Sequence, residues 1–87
     1  MQDNRQQSRF ELTENGFSAW AQYRIQDGVY VITHVEAEPP LRGTGAASRL
    51  MGAVTAAARA GGFTLEPRCS YAQTWFRRHS EARDVLA

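Results

Sequence analysis

The sequence predicts a mixed α+β domain built on a twisted, mostly antiparallel sheet, and three observations carry that prediction. Two hairpin-forming dipeptides, Asn15-Gly16 and Asp27-Gly28, separate runs of alternating or β-branched residues. After Gly43-Thr44-Gly45 the apolar period changes from two to steps of three and four. Gly61-Gly62 closes that helical stretch, and a short strand-like run follows it.

Taken in order, Arg9 to Leu12 alternates charged and apolar residues and predicts the first strand. From Phe17 to Ile25 the odd positions Phe17, Ala19, Ala21, Tyr23 and Ile25 are apolar, as a half-buried strand requires, although Trp20 interrupts the polar face. Val29 to Val35 is apolar on both faces and predicts a central strand, which Pro39-Pro40 ends because proline cannot donate to a ladder. Ala47, Leu50, Met51, Val54 and Ala58 then share one face of a long helix. Phe63 to Arg68 is the fourth predicted strand, returning parallel to the third by a right-handed crossover around that helix. Tyr71 to His79 is a short C-terminal helix that carries Trp75 and Phe76. Residues 1–8 are expected as a disordered tail and 9–87 as a single domain.

Eighty-seven residues suit one domain with a thin core. A chain of this size buries only about 60 to 65 per cent of its unfolded surface, so bound ligand or weak homodimerisation would add stability; a monomer or weak homodimer is expected. Net charge is +1, every basic residue is arginine, and these arginines are interleaved with acids and apolar residues. That pattern argues against a nucleic-acid partner, which needs a basic stripe. One cysteine allows no internal disulfide and no multi-cysteine metal site. Met1 to Ser8 is polar, and no apolar run approaches the roughly 18 residues that cross a bilayer, so a cytoplasmic protein without membrane association is expected.

Arg42-Gly43-Thr44-Gly45-Ala46-Ala47 joins a strand to a helix start. There, backbone N–H groups lack internal partners, the helix dipole is positive, and small side chains allow a phosphate to approach. A P-loop is excluded because the chain has no lysine, and the dinucleotide fingerprint fails because Ser48 stands where a third glycine belongs. A glycine turn that only joins strand to helix is the plain alternative. Arg42, Gly45 and Ala47 match a different pattern: they resemble the Arg/Gln-x-x-Gly-x-Gly/Ala signature of the GNAT acetyltransferases, which cradles the coenzyme A pyrophosphate.

The resemblance extends over Phe10 to Leu86. His34-Val35-Glu36, Pro39 to Gly45, Pro67-Arg68-Cys69-Ser70-Tyr71 and Arg77-Arg78-His79 look like the short YjdJ-like branch of that superfamily. Val35, Glu38, Ser70 and Ser80 depart from the branch pattern, which has threonine at the first position and proline at the others. The resemblance implies a sheet that splays at the end of its third predicted strand and an acetyl-CoA wedged into the opening. Arg42, Gly43, Thr44, Gly45, Ala46 and Ala47 would hold pyrophosphate, and the backbone of Glu36, Ala37 and Glu38 would pair with pantetheine as an added strand does. It further implies N-acetyl transfer to an amine acceptor that the sequence does not name, without a metal.

Four residues are candidates for the chemistry. Cys69 could take the acetyl group covalently or relay a proton, or be a small buried hydrophobe. His34 shares a predicted strand face with Ile32 and Glu36, and either His34 or Glu36 could deprotonate the amine; a hydrogen-bonded core histidine is the alternative. Tyr71 could protonate the leaving thiolate or simply close the helix start. Arg77 and Arg78 could reach the adenosine 3′-phosphate, although a charge pair on a terminal helix is usually a solvated face. Two other classes of function remain. One is a non-catalytic acyl-CoA binding module. The other is a protein-interaction domain, whose support would be an exposed Trp75 and Phe76.

Overall fold

The computed structural model describes residues 1–87 and shows a five-stranded sheet in sequence order, β1-β2-β3-β4-β5. The strands are β1 (Gln2–Asn4), β2 (Arg9–Glu14), β3 (Phe17–Gln26), β4 (Val29–Ala37) and β5 (Thr64–Pro67). Helix α1 (Ala46–Gly61) links β4 to β5, and α2 (Ser70–Arg78) follows β5. Short 3₁₀ turns occupy Pro39–Leu41 and Ser80–Val85. All pairings are antiparallel except β4 with β5. The architecture is the α+β sheet the sequence predicts, with one strand added at its start.

Residues 1–8 correct the expectation of a disordered tail. Gln2, Asp3 and Asn4 pair with Glu11, Phe10 and Arg9, which makes β1 an edge strand. Side chains hold it there: the Tyr23 hydroxyl donates to Asp3 Oδ1 at 2.6 Å, and Arg5 Nη2 donates to the Tyr30 hydroxyl at 2.8 Å. Polar residues with partners more than 15 positions away leave no periodic trace in the sequence.

Both hairpins turn through left-handed backbone, at Asn15 and Gly16 (φ 51° and 80°) and at Asp27 and Gly28 (φ 52° and 80°). Helix α1 covers one face of the sheet with Ala46, Leu50, Met51, Val54, Thr55 and Ala58. Leu50, Met51 and Val54 are fully enclosed, each contributing roughly 1.5–3 kcal/mol of burial. Ala46, one residue before the predicted position, begins this stripe, and half-buried Ala47 is left at its border. Phe10, Tyr23, Tyr30 and Phe63 stack beneath the helix end, with Tyr30 and Phe63 ring centroids 4.1 Å apart. Gly62 terminates α1 in the left-handed conformation at φ 70°.

Two irregularities coincide and open the sheet. The register of β3 and β4 slips, with Gln22 opposite His34 but Tyr23 opposite Ile32, so Thr33 is an unopposed bulge. At that level β5 leaves β4, its last pairing being Ile32 with Pro67, and the amides of Arg68 and Cys69 both close on the Ile32 carbonyl. Beyond this point β4 runs on to Ala37 with β3 alone beside it.

Trp75 and Phe76 are buried, at 7% and 3% exposure, which removes the support for an aromatic interaction surface on the last helix. Trp75 is pinned further, its indole Nε1 donating to Ser48 Oγ on α1 at 2.9 Å. No helix is long and apolar enough to cross a membrane.

Candidate functional site

Where β4 and β5 separate, a cleft of about 370 Å³ opens between the end of β4, the glycine turn and the start of α2. Glu36, Ala37, Arg42, Gly43, Gly45, Ala46, Ala47 and Tyr71 line it, all residues singled out in the sequence. Val35, Leu41 and Ser48 line it too and were not anticipated. Ser48 could have been found, because its amide is among the first of a helix and so has no intrahelical acceptor.

The glycine turn is shaped by two left-handed residues, Gly43 at φ 76° and Gly45 at φ 86°. Thr44 folds inward instead of lining the cleft: its hydroxyl donates to the Leu41 carbonyl and accepts from the Ala46 amide. Its own amide closes on Leu41 as well. The amides of Gly43, Gly45, Ala47 and Ser48, by contrast, donate to no acceptor of the chain. Unpartnered amides at a helix N-terminus, with the positive end of the helix dipole behind them, are groups that an anion can satisfy. Arg42 adds a guanidinium at the rim, 62% of its side chain exposed.

The wall formed by β4 has an organised edge. Glu38 is committed to β3, its amide donating to the Ser18 carbonyl and its carboxylate accepting from the Ser18 amide. That corrects the expectation that Glu38 presents backbone to a ligand. Ala37 faces the opposite way, toward the opening: its amide donates to Glu36 Oε1 at 3.2 Å and its carbonyl accepts from Arg42 Nε at 3.1 Å. Alternation along an antiparallel strand turns Val35 toward the same opening. The backbone turned toward the opening is therefore that of Val35 and Ala37.

The ionisable groups divide by position. The Glu36 carboxyl is held below its ordinary range by the Ala37 amide first, then by His34 and Arg42, so it stays charged near neutrality. A carboxylate stabilised in this way is a weak proton acceptor. His34 lies 3.4 Å from Glu36 on the outer sheet face, 60% exposed and outside the cleft lining. The bulge at Thr33 places Ile32 on the opposite, buried face, which corrects the shared face read from simple alternation. Cys69 is half-buried and caps α2, its sulfur accepting from the Ala72 amide at 3.4 Å; it too lies outside the lining. Tyr71 projects from the first turn of α2 into the cleft, and burial, then neighbouring Cys69, raises its hydroxyl above the usual phenol range. It remains a proton donor at neutral pH. No cluster of three His, Cys, Asp or Glu side chains that could hold a metal ion is present.

A search of curated proteins finds no match to this chain. A family model described as GCN5-related N-acetyl-transferase matches residues 9–85, which takes in β2 through α2, the glycine turn and every residue that lines the cleft. On that match, spanning all but the two ends of the sequence, the chain belongs to the GCN5-related N-acetyltransferase family.

Proposed function

We propose that the cleft binds acetyl-CoA and that the chain transfers its acetyl group to a small or side-chain amine, as a member of the short YjdJ-like branch of the family. The observation that carries this reading is the set of free amides of Gly43, Gly45, Ala47 and Ser48 converging on one cleft beside Arg42. They are suited to a diphosphate, while the open edge of Val35 and Ala37 is suited to the amides of pantetheine.

In the transfer, the amine nitrogen bonds to the thioester carbonyl carbon and the carbon–sulfur bond breaks. Tyr71, protonated and within the cleft, gives its proton to the departing thiolate. The proton lost by the attacking amine passes to solvent at the open sheet face, with Glu36 and His34 at its border, and Tyr71 is reprotonated from solvent.

Full-length protein is incubated with acetyl-CoA and an amine panel, and thiol release, thermal unfolding and intact mass are followed. Ligand-dependent stabilisation with amine-dependent thiol release supports the reading. Unchanged unfolding at millimolar acetyl-CoA sinks it. A second reading, acyl-CoA binding without turnover, is favoured by the placement of Cys69 and His34 outside the cleft. It predicts stabilisation with no thiol release and no acetyl adduct on Cys69.

A further inference from the structure

The outer face of the sheet carries a block of side chains next to the cleft. Strand register places Arg9, Gln22 and His34 in one row across β2, β3 and β4, and Glu11, Trp20 and Glu36 in the next. Cross-strand partners share a face, as do residues two apart on one strand. None of these side chains is buried, and Trp20 alone among them is apolar. We propose that Trp20 is the platform on which the amine acceptor lies, and that this acceptor is a small arylalkylamine with its ring on the indole and its ammonium beside Glu36. The inference rests on the reading of the main cleft as an acyl-CoA site.

Core packing does not account for Trp20. The core lies on the other face, where its chain neighbours Ala19 and Ala21 are fully buried. An indole on a polar sheet face leaves flat apolar area open to solvent, and covering that area with a ligand ring is favourable. One contact of the ring is already made: Arg9 reaches it from β2, with its guanidinium 5.0 Å from the ring centroid, and is itself tied to Glu11. That pair closes the block on the β2 side. On the β4 side the residue directly opposite Trp20 is Glu36, which also lines the cleft, so an amine held there stands at the cleft mouth.

Charge and spacing then select the acceptor. Glu36 is the one acid in the cleft lining, and it attracts an ammonium and repels a carboxylate. The cations at its border are committed, Arg9 to Glu11 and Arg42 to Glu36 and the Ala37 carbonyl, so an acid group on the acceptor finds no partner in this block. Directly opposite residues have Cβ atoms roughly 5 Å apart, which about two carbons between ring and nitrogen would span. A lysine side chain would bring the ammonium but no ring for the indole.

Thiol release from acetyl-CoA by the full chain, with phenethylamine, ethylamine, free phenylalanine and a lysine-containing peptide as acceptors, tests the assignment. Wild type is expected to use phenethylamine with a kcat/KM about tenfold or more above that of each of the others, the contribution of one aromatic contact and the area it covers. Trp20→Ala should raise the KM for phenethylamine about tenfold, toward that of ethylamine, with kcat moved little, and Trp20→Phe should restore most of the difference. Calorimetry with coenzyme A on each variant reports whether the cleft is folded. The same amines titrated into the coenzyme A complex should bind in the same order, which tests the platform without turnover. With coenzyme A binding intact, equal use of ethylamine and phenethylamine by wild type, an unchanged KM in Trp20→Ala, or no heat from any amine would overturn the inference and leave the cleft reading standing. Preference for phenylalanine or for the peptide would overturn it too, the second assigning the face to a protein acceptor. Failure of coenzyme A itself to bind wild type removes the cleft reading and this one with it.

Discussion

Glu36 and Arg42 hold the two hydrogen-bonding groups of a single residue, Ala37, the carboxylate taking its amide and the guanidinium its carbonyl. Their charged ends lie 3.7 Å apart across it. The open edge of β4 is thus capped by its own neighbours, and a ligand that pairs with Ala37 must displace them. Glu36→Ala should therefore speed coenzyme A association by about two- to tenfold, the equivalent of one net hydrogen bond. Stopped-flow binding measures it, and a slower association would show that the carboxylate assists entry.

That cap shows where sequence reasoning reaches its limit. The glycine turn was legible because its determinants are local: Gly43 and Gly45 need positive φ, and the following helix necessarily leaves amides free. Helix α1 was legible from the spacing of Leu50, Met51, Val54 and Ala58. The bulge at Thr33 was not, because period-two alternation carries no mark of an extra residue, and that one residue determines which face His34 and Ile32 take. Burial of Trp75 depends on Ser48, 27 positions away, and the order of residues 1–8 depends on Tyr23 and Tyr30. Such long-range side-chain pairs leave no local signature.

Gly45 and Gly16 have similar left-handed backbones, at φ 86° and 80°, but only Gly45 lines the cleft. Alanine at either position should cost about 1 kcal/mol of stability through backbone strain. Only Gly45→Ala should also weaken coenzyme A binding, because Gly45 lines the cleft and relief of its left-handed strain would move its free amide, whereas the added Cβ itself meets only the end of the Arg49 side chain, at 3.0 Å. Denaturant unfolding and calorimetry on both variants check this. Equal loss of binding in Gly16→Ala would show that the effect is one of stability alone.

Tyr71→Phe keeps the ring at the cleft wall and removes the proton donor. Turnover should fall by about 10² or more with coenzyme A affinity unchanged, as expected for loss of a general acid. An unaltered rate would remove Tyr71 from the chemistry.

Asp3 accepts from Tyr23 and forms an ion pair with Arg5 at 3.0 Å, so it joins β1 to the aromatic stack. Asp3→Ala should cost about 1.5 kcal/mol, since it strands the hydroxyl of a buried tyrosine. A polar tail with no structural role would tolerate the change. The unfolding midpoint in urea distinguishes the two.

Tyr23 also predicts an alkaline limit to stability. Burial, and then the hydrogen bond to Asp3, pushes its hydroxyl up to about 12 from an ordinary value of 10.0. Below pH 10.0 the group is protonated in both folded and unfolded chains, so its stabilising contribution is complete. As pH rises from there toward about 12, the unfolded chain releases the proton while the fold retains it, and stability falls. Tyr71, also raised, adds to the same limb, so the comparison belongs in a Tyr71→Phe background. There, Tyr23→Phe should be less stable at neutral pH, having lost the Asp3 contact, yet lose less further stability above pH 10.0. Denaturant midpoints across that range decide it: parallel alkaline limbs in the two proteins would mean that Tyr23 titrates in the fold as it does in the unfolded chain.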